Sequence, residues 1–566
     1  RIEFTFEGDV GFAASATFSV AVADEFDEAV SLAVRGFKDE FKLYDDKMRR
    51  MSDVLEGAGV MTHDNDYRLA LQWAAASVDA LVMNQMGRGI FAGLHWFPNY
   101  WGRDTFISLP GACLARGEFD VAREILESFA ALQERTEDSY VLGRVPNLAM
   151  PGEVYYNTAD GTWWFVREAY EYLRYTGDMD FAKSFMPAVE LAIEGALAKR
   201  VDESGYLLHG QAETWMDAGG ERNPFSPRGT RAVEVEVLWH TALRSGAEMA
   251  DAVGKPQLAE KWRTHAERLR KALLRDFPDP ETGGLFDHLD ADGVGDRMLR
   301  PNQIFAATVP WEDILDRERE RGMLDLVRET CVLKHGITSL YPEDPHFHPR
   351  HLDLDKYHFD EAYHNGDVWV WLSGPVVSAL VKHGLVGEAW RQTSVLKDMV
   401  FDEGAAGTLP ELRNGVPPED GENVAGAVSQ AWSLAEFLRN FYQDYLGVRP
   451  NLLAGTVDVR PALPPGLSWL GAPVRMGGGA LAVAHYTESD SRACTRVVSE
   501  ELGRSITVRF AACVPPQGDI QERLPSVEAE LPPGGSLEFV VEKSDSGWRA
   551  RTASSGEGRV CPDDMR

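Results

Sequence analysis

The segment QAETWMDAGG, residues 211–220, combines two carboxylates with a large aromatic ring and a pair of glycines. Asp217 follows Trp215 and Met216, whose apolar side chains would desolvate its carboxyl group and raise its pKa. A raised pKa suits a carboxyl group that donates a proton to a leaving oxygen near neutral pH. Glu213 is the local competitor for this role. The segment therefore indicates a general acid, with Asp217 as the first candidate.

General acid and base catalysis on one bond also needs a second, ionised carboxylate on the opposite side of that bond. Glu411 lies in GTLPELRNG, residues 407–415, between a Leu-Pro pair and a turn, and is the best distant partner of Asp217. Three further acidic residues are candidates from their position: Asp360, Glu361 and Asp367. Asp104 stands next to Arg103, which we expect to keep it ionised, so that it binds hydroxyl groups instead of donating a proton.

Many of the 15 tryptophans stand beside polar residues instead of inside apolar stripes. Aromatic rings cover the C–H faces of sugars, while Asp, Asn, Arg and His bind the hydroxyl groups. Both kinds occur together in GLHWFPNYWGRDTFISLPG (93–111), YYNTADGTWWF (155–165) and YHNGDVWVW (363–371). The pattern predicts a carbohydrate pocket. A glycan-binding module without catalysis and a scaffold that binds a partner protein remain as alternatives.

A helical period dominates the chain from about residue 61 to residue 447. In EFDVAREILESFAALQE, residues 118–134, apolar side chains form the single stripe of an amphipathic helix. About a dozen such stripes, separated by turn segments such as FPDPETGG, predict a mainly α fold of helical hairpins closed into a toroid. A superhelical repeat array is the alternative, although the sequence has no fixed repeat period.

Regions with other patterns of apolar and polar residues flank this helical catalytic region, 61–447. Residues 1–24 alternate apolar and polar side chains and predict a short β remnant of an N-terminal sheet domain, and residues 25–60 predict a linker helix. Short apolar runs between Pro and Gly clusters predict a β-rich C-terminal domain over 448–545. Residues 546–566 are polar and predict a disordered tail.

The formal net charge of -32 argues against nucleic acid and against an anionic membrane surface as partners, because both attract clustered Lys and Arg. A neutral carbohydrate is indifferent to this charge. The five cysteines are scattered without CxxC spacing, which predicts reduced thiols and a cytoplasmic location. No apolar run approaches the roughly 20 residues of a membrane span.

The sequence predicts no metal and no cofactor. The segment HFHPRHLDLDKYH, residues 346–358, is rich in His and Asp. Its irregular spacing favours a polar loop, since zinc sites need tight ligand pairs on defined turns. Neither a phosphate-binding glycine loop nor a G-x-S-x-G nucleophile motif is present.

Six segments resemble, in order, the motifs of the amylo-α-1,6-glucosidase family, which includes the C-terminal part of glycogen debranching enzymes. They are NYWGRDTFISLPG, YNTADGTWWF, ETWMDA, RPNQIFA, YHNGDVWVW and LPELRNG, the last followed by SQAWSLAE. Together they cover about residues 64 to 445. The resemblance implies an (α/α)6 toroid with its pocket at one end, which agrees with the number of helical stripes.

The resemblance also implies roles for individual residues. Asp217 would be the general acid and Glu411 the general base of an inverting hydrolase, while Arg103 and Asp104 would hold hydroxyl groups of the terminal glucose. The substrate-binding residues predicted in this way are Trp96, Trp101, Arg103, Asp104, Asn157, Asp160, Trp163, Trp215, His364 and Asn365. Among these, Trp96, Trp101 and Trp163 would be stacking surfaces.

The predicted function is removal of α-1,6-linked glucose from branched α-glucan or an α-1,6-gluco-oligosaccharide. No segment resembles the transferase domain of two-activity debranching enzymes, so we expect no shortening of longer branches. An exo-acting α-glucosidase of glucoamylase or trehalase type is the first alternative. A glycan-binding toroid without catalysis is the second.

Overall fold

Two helices account for most of the described residues in the first of two units into which the chain divides, Arg1–Gly57 and Ala58–Arg566. The computed structural model describes residues 19–23, 25–419, 423–511, 514–515, 518–545 and 547–553. The predicted β remnant, 1–24, lies outside these residues except for 19–23, which form no strand. The predicted linker helix is divided at Asp39 into α1 (Phe26–Lys38) and α2 (Glu40–Ala58).

Helices and short strands alternate through most of the second unit, and the whole structure is 43% helical. Its helices are α3 (Asn65–Asp79), α4 (Gly102–Ala112), α5 (Phe119–Ala131), α6 (Gly161–Thr176), α7 (Met179–Lys199), α8 (Val233–Ala252), α9 (Pro256–Asp276), α10 (Phe305–Thr308), α11 (Arg317–Thr330), α12 (Phe359–Tyr363), α13 (Ser373–Lys382), α14 (Val386–Asp402) and α15 (Ala431–Arg439). A π-helical turn, Asn440–Tyr445, extends α15.

Burial separates these helices into two kinds. Every residue of α4 and nearly every residue of α6 is buried, whereas α5 and α9 bury one stripe only. A helix that is buried on all sides must have neighbours all around it. Accordingly α4 packs between α15 and α6, α6 packs on α8, α8 on α10, α10 on α13, and α13 on α15.

The strands between the helices are short. They are β1 (Met61–Thr62), β2 (Val82–Asn84), β3 (Arg88–Leu94), β4 (Phe97–Trp101), β5 (Leu148–Met150), β6 (Glu153–Tyr155), β7 (Arg231–Ala232), β8 (His288–Leu289), β9 (Val332–Leu333), β10 (Gly336–Ile337), β11 (Val368–Trp369), β12 (Leu412–Arg413), β13 (Val424–Ala425) and β14 (Ser429–Gln430). Two of the small sheets have the strand orders β14-β3-β4-β5-β6, with β2 also paired to β3, and β11-β12-β13.

Longer strands follow the last helix and form a β-rich C-terminal region. They are β15 (Val448–Asn451), β16 (Thr456–Val459), β17 (Trp469–Met476), β18 (Gly479–Ser489), β19 (Arg492–Glu500), β20 (Ile506–Phe510), β21 (Val527–Leu531), β22 (Ser536–Ser544) and β23 (Gly547–Thr552). One sheet has the order β1-β17-β18-β19-β22-β23 and the other β15-β16-β20-β21. Phe510 of β20 stacks on Phe539 of β22 with ring centroids 4.4 Å apart, which joins the two sheets.

The last strand lies within the range predicted to be a disordered tail, 546–566. β23 pairs antiparallel with β22, with Trp548 opposite Lys543. Trp548 and Ala550 of β23 are partly shielded whereas Arg549 between them is exposed, so the polar composition of this part is that of an edge strand with one covered face. Residues 554–566 lie outside the described residues.

Two of the cysteines are deeply buried thiols. Burial raises the pKa of Cys113 and of Cys331 to about 12, which makes both poor nucleophiles. Cys494 is also buried, and Cys513 and Cys561 lie outside the described residues. Among the helices of the described ranges, none combines the length and the apolar character that crossing a membrane requires.

Candidate active site

A cavity of about 840 Å³ lies in the second unit. Its wall comes from the β3–β4 hairpin, the start of α4, the loop that contains Asp217, the segment around α12, and the strands β11 to β14. The carboxyl groups on this wall belong to Asp104, Asp217, Asp360 and Glu411. The cavity therefore brings together both predicted catalytic carboxyl groups, which are far apart in the sequence.

The junction between β4 and α4 positions two of the lining residues. A Cβ atom on Gly102 would lie 2.3 Å from the carbonyl oxygen of Pro146, so only glycine fits at this turn. The Gly102 N–H donates to the carbonyl oxygen of Asn147 at 2.6 Å, which fixes the strand-to-helix turn. Arg103 and Asp104 follow directly and reach the cavity from the first turn of the helix.

Arg103 connects two carboxylates beneath the cavity. Its Nε donates to Asp160 Oδ2 at 2.7 Å and one terminal nitrogen donates to Asp217 Oδ2 at 3.1 Å. The other terminal nitrogen donates to the carbonyl oxygen of Thr214 at 2.8 Å. The Asp217 side chain is 26% exposed, against 3% for Asp160. Of the two carboxylates, Asp217 is therefore the one that faces the cavity.

The environment of Asp217 favours its protonated form. Burial raises the pKa of the Asp217 carboxyl group, and the Arg103 guanidinium opposes this rise without cancelling it. Trp215 lines the cavity and its Nε1 donates to Asn302 Oδ1 at 2.9 Å, while Met216 is fully buried. The apolar surroundings predicted for Asp217 are thus present, and the anchored Trp215 holds the loop in place.

Glu213, the predicted competitor of Asp217, is engaged elsewhere. Its two carboxylate oxygens accept hydrogen bonds from the two terminal nitrogens of Arg144 at 3.1 and 2.8 Å. Burial alone would raise the pKa of Glu213, but the Arg144 hydrogen bonds and charge outweigh it and lower the pKa. Glu213 is also absent from the cavity wall. Its geometry is that of an ionised partner in a structural ion pair.

Glu411 is held by the small sheet β11-β12-β13. It stands directly before β12, where the Val370 N–H donates to its carbonyl oxygen at 3.2 Å and its own N–H donates to the carbonyl of Ala427 at 2.8 Å. The side chain is clamped as well, because the Tyr363 hydroxyl donates to Oε1 and the Ala427 N–H donates to Oε2 at 2.8 Å. Both carboxylate oxygens therefore have a fixed donor.

These two donors oppose the effect of burial on Glu411. Burial raises the pKa of its carboxyl group above the ordinary value, and the hydrogen bonds from Tyr363 and from the Ala427 N–H, which favour the ionised form, offset this rise only in part. The hydroxyl of Tyr363 stays protonated, because burial and the nearby Glu411 charge raise its own pKa. Glu411 is thus oriented as a carboxylate that accepts two hydrogen bonds.

Asp104 differs from the ionised residue that its position next to Arg103 predicts. Burial raises the pKa of Asp104 to about 7, and the negative charges of Glu411 and Asp217 add to this effect. The Arg103 guanidinium lowers the pKa of Asp104 by less than burial raises it, because its nitrogens are directed to Asp160 and Asp217. Asp104 Oδ1 accepts a hydrogen bond from the Gln430 amide at 3.2 Å.

Aromatic rings form one side of the cavity. Trp215 meets His364, Trp369 and Trp371 edge-on, with centroid distances of 5.3, 5.1 and 5.5 Å. His364 stacks flat on Trp369 at 5.2 Å. Burial and the neighbouring arginines hold the pKa of His364 well below its ordinary value, so the ring is neutral. The wall is apolar enough to cover a sugar ring.

Six of the ten predicted substrate-binding residues line this cavity: Trp96, Trp101, Arg103, Asp104, Trp215 and His364. Trp96 is 62% exposed, and its Nε1 donates to the carbonyl oxygen of Gly426 at 3.2 Å. That contact joins the tip of the β3–β4 hairpin to the loop that contains Ala427, whose N–H donates to Glu411. Trp96 therefore lies at the open edge of the cavity.

The other four predicted residues are not part of the wall: Asn157, Asp160, Trp163 and Asn365. Asp160 binds Arg103 from below, and Trp163 is buried in the core with a ring 1% exposed. Asn365 Oδ1 accepts a hydrogen bond from Arg300 at 2.7 Å. Asn157 is exposed. Their roles in substrate binding stay predictions.

Several lining residues are missing from the sequence-based set: His351, Tyr363, Trp369, Gly426, Gln430 and Trp432. Tyr363 precedes the predicted His364 in YHNGDVWVW, and Gln430 lies in SQAWSLAE, so both stand within recognised segments. Their partners, Glu411 and Asp104, are distant in sequence. A hydrogen bond between such segments depends on how the short strands pair, which the sequence does not encode locally.

Neither His-rich nor acidic segments build an evident metal centre in the described ranges. In the segment 346–358, His351 Nδ1 lies 2.6 Å from Asp367 Oδ2 at the cavity edge, and His358 caps α12. The one group of ligand type in the described ranges is Asp287, His288 and Asp296. Asp287 already pairs with Arg228 at 2.6 Å, so this group has an ordinary structural explanation.

A family model described as amylo-alpha-1,6-glucosidase matches residues 69–439 of the chain. A curated relative, the glycogen debranching enzyme of Saccharomyces cerevisiae, is 25% identical over 470 residues. The alignment covers 62% of this chain and 30% of the yeast enzyme, so the chain spans less than a third of the length of that relative.

Solved structures of other glycosidases share the fold. A GH78 rhamnosidase of Bacillus sp. GL1 has a TM-score of 0.53 at 19% identity, over 76% of this chain and 40% of its own. An α-L-rhamnosidase from Dictyoglumus thermophilum has a TM-score of 0.56 at 12% identity, over 86% and 50%. A sialidase reaches 0.57 at 14% identity, over 75% and 38%. At these identities the likeness concerns the fold alone.

The family match covers the segment that contains the whole set of motifs named above and every carboxyl group of the cavity. It confirms the resemblance inferred from those motifs. By this match, the chain belongs to the amylo-alpha-1,6-glucosidase family of glycoside hydrolases.

Proposed function

We propose that this chain hydrolyses α-1,6-linked glucose from a branched α-glucan or an α-1,6-gluco-oligosaccharide. The observation that carries the proposal is the cavity in which Asp217 and Glu411 face the same space with different partners. Asp217 has a raised pKa beside a guanidinium, and Glu411 is fixed by two donors. The name of the yeast relative supports a branched glucan as the substrate class.

The proposed mechanism is inverting and uses one carboxyl group on each side of the bond. Asp217, protonated, gives its proton to the glycosidic oxygen as the bond to the anomeric carbon breaks. Glu411, ionised, accepts a proton from a water molecule that attacks the anomeric carbon from the opposite face. An α-linked substrate then releases β-glucose.

Arg103 stabilises the ionised form of Asp217 that remains after the proton has been donated. After donation Asp217 is a carboxylate, and the guanidinium 3.1 Å away stabilises that charge. Asp160 shares the same guanidinium at 2.7 Å, so Arg103 cannot move freely towards the acid. Burial keeps the pKa of Asp217 raised despite this guanidinium, and the guanidinium gives the ionised product form a counter-charge.

Tyr363 and the Ala427 N–H give Glu411 its orientation. With one donor on each carboxylate oxygen, the group is held in one orientation, and its remaining lone pairs can accept a hydrogen bond from the attacking water molecule. We propose that Trp215, His364, Trp101 and Trp96 cover the sugar faces, and that Arg103 and Asp104 bind hydroxyl groups. All six line the cavity.

We further propose that the helices of the second unit form an (α/α)6 toroid. The support is the closed series of packed helices, α4, α6, α8, α10, α13 and α15, in which each contacts the next and the last contacts the first. The catalytic region would be 61–447 and the β-rich domain would begin at 448, where β15 begins.

The test is free glucose released from a dextrin that carries single α-1,6-glucosyl stubs. Linear maltooligosaccharide and trehalose are assayed in parallel at equal concentrations of chain ends, and Glu411→Gln protein serves as the background control. We expect rapid release from the stubbed dextrin and at least about tenfold slower release from the other two. A rate on the stubbed dextrin no higher than that of the Glu411→Gln protein contradicts the proposal.

The other outcomes identify the alternatives. Faster release from maltooligosaccharide or trehalose would keep the two carboxyl groups and replace the substrate with that of a glucoamylase-type or trehalase-type enzyme. Saturable dextrin binding without any release of glucose would instead indicate a glycan-binding module.

A further inference from the structure

A second cavity, of about 160 Å³, lies in the same unit and is enclosed by α6, α13, the π-helical turn after α15, and the first strands of the β-rich region. It shares no lining residue with the cavity of Asp217 and Glu411. Five basic side chains line it: Arg174, Lys382, Arg449, Arg460 and Arg523. Such a concentration of positive charge stands out in a chain whose net charge is -32.

The acidic groups on the same wall are already paired. Glu171 Oε2 accepts a hydrogen bond from Arg167 at 2.7 Å. The other ion pairs are Asp313 with Lys382 at 2.7 Å, Asp444 with Arg449 at 2.7 Å, and Asp458 with Arg460 at 3.2 Å. These pairs use every carboxylate of the wall and three of its five cations.

Arg174 and Arg523 are the two remaining cations, and within the described ranges neither has a carboxylate partner. Arg174 donates to the carbonyl oxygen of Pro450 at 3.3 Å and stacks on Trp311, 4.3 Å from the ring centroid. Arg523 donates to the carbonyl oxygen of Val381 at 3.0 Å, and its Nε is buried without a partner among the described residues. Each guanidinium therefore keeps unused donors beside the cavity.

Unpaired charge in a partly buried wall is unfavourable until an anion neutralises it. Burial lowers the pKa of Arg174, and the positive charges of Arg449 and Arg167 add to this effect, while the negative charge of Glu171 opposes it without cancelling it. Arginine presents a planar fork of donors that matches the oxygens of a phosphate group. The cavity volume of about 160 Å³ exceeds the roughly 10–15 Å³ that one water molecule requires, so a phosphate group has room.

We propose that this cavity binds a phosphate oxyanion, held by Arg174 and Arg523, either as inorganic phosphate or as the phosphate monoester of a sugar. The proposal does not depend on the glycosidase mechanism, because the two cavities are built from separate residues.

The experiment is calorimetric titration of the whole chain with sodium phosphate and, separately, with glucose 6-phosphate, with NaCl added to keep the ionic strength constant. We expect saturable binding with one site per chain. Arg174→Gln and Arg523→Gln should each weaken it at least about tenfold, since each removes charge-assisted hydrogen bonds. Arg319→Gln, which removes an exposed guanidinium whose ion-pair partner among the described residues is Asp316, is the matched control and should bind as the unmodified chain does.

Binding of both probes with equal affinity identifies inorganic phosphate as sufficient, and tighter binding of glucose 6-phosphate identifies the monoester. Absence of saturable heat with both probes overturns the proposal, and so does equal affinity in Arg523→Gln and Arg319→Gln. Arg523 lies in a loop between β20 and β21, so its variant carries the test if Arg174→Gln does not fold. Glucose release by Arg523→Gln should equal that of the unmodified chain.

Discussion

At the scale of single residues, Asp217 and Glu411 differ in the groups that counteract the rise in pKa caused by burial. Asp217 has a guanidinium that is shared with Asp160, whereas Glu411 has two hydrogen-bond donors of its own. Glu411 is 2% exposed and the Asp217 side chain is 26% exposed. This difference supports the proposal that Asp217, which a leaving oxygen can reach, is the proton donor and that Glu411, which is rigidly held, is the base.

Replacement of Asp217 by Asn should affect substrates according to their leaving group. On a glucan, whose leaving oxygen needs a proton, we expect the Asp217→Asn rate to fall about 10²- to 10⁴-fold. On α-glucosyl fluoride, whose leaving group needs no proton, the loss should be at least tenfold smaller. Steady-state rates on both substrates measure the effect, with Glu213→Gln as the control outside the cavity. Equal losses on both substrates would remove Asp217 from the role of acid.

Removal of the Tyr363 hydroxyl should change the pH dependence of the reaction. The hydrogen bond from Tyr363 favours ionised Glu411, so Tyr363→Phe raises the pKa of Glu411 further above its ordinary value. A base with a raised pKa is protonated at higher pH, and the acidic limb of kcat/KM should therefore move to higher pH. The profile of kcat/KM between pH 4 and 8 measures it.

Tyr155→Phe is the matched control for this prediction, because Tyr155 donates to Glu153 at 2.7 Å on the surface. Its profile should coincide with that of the unmodified chain. An acidic limb that stays in place in Tyr363→Phe, or moves to lower pH, would show that Tyr363 does not stabilise the ionised base.

The proposed acid and base could both be named from the sequence, and the cavity brings them together. Trp215 and Met216 beside Asp217 indicate a desolvated carboxyl group, and the motif resemblance points to Glu411. The state of Asp104 could not be predicted in this way. Its neighbour in sequence, Arg103, turns to Asp160 and Asp217 in space, and burial raises the pKa of Asp104 to about 7.

At the scale of elements, the site depends on strands of two residues. β12 pairs with β11 on one side and with β13 on the other, and this sheet places Glu411 next to the turn after β13. Gly426 lies in that turn with a φ of +70°, and a Cβ atom there would lie 2.4 Å from Glu411 Oε2. The turn therefore limits where the carboxylate can be.

Replacement of Gly426 by Ala should reduce turnover with little loss of fold. The added methyl group would displace the Glu411 carboxylate, because 2.4 Å is far below contact distance. We expect kcat to fall at least about tenfold, since small displacements of catalytic groups are costly. Initial rates of glucose release and the thermal unfolding midpoint are measured together.

Gly455→Ala is the control for backbone strain, because Gly455 has a φ of +67° and nothing within 4 Å of its Cβ position. Both variants should lose similar stability from the positive φ, and only Gly426→Ala should lose turnover. Similar rates in the two variants would mean that the turn does not constrain Glu411.

Long helices follow directly from the sequence, whereas the short elements at the site do not. The apolar stripe in residues 118–134 corresponds to α5, and its buried residues Ile125 and Phe129 belong to that stripe. A five-residue helix such as α12 or a two-residue strand such as β12 has too few positions for a period to be visible. Their places are set by hydrogen bonds to distant segments.

At the scale of the whole molecule, buried histidines connect stability to pH. Burial lowers the pKa of His209 and of His485 to about 4 and that of His240 to about 3. His485 bridges Thr495 and the carbonyl oxygen of Leu446, each at 2.8 Å, so it belongs to the β-rich region and to the end of the helical one. These rings are neutral in the folded chain.

Lowering the pH should therefore begin to destabilise the fold at pH values well above the pKa of these rings in the folded chain. The unfolded chain takes up a proton at each histidine below about pH 6.5, and the folded chain cannot until pH 4 or lower. Stability is thus fully present above pH 6.5 and falls as the pH drops towards 4, by about 3 kcal/mol for His485. Urea unfolding at several pH values measures this slope.

His485→Gln should flatten the slope, and His346→Gln, whose side chain is 65% exposed, should leave it unchanged. A slope that is identical in His485→Gln and in the unmodified chain would mean that His485 is not held neutral by burial. The absolute stability of His485→Gln is not the readout, because the lost hydrogen bonds lower it at every pH.

The most direct test of the proposed mechanism is the anomeric configuration of the glucose first released from a dextrin with single α-1,6-glucosyl stubs, followed by proton NMR before mutarotation. We expect β-glucose, since Asp217 protonates the leaving oxygen while Glu411 directs water to the opposite face. α-Glucose as the first product would contradict the mechanism, because retention requires a covalent intermediate on one of the two carboxylates.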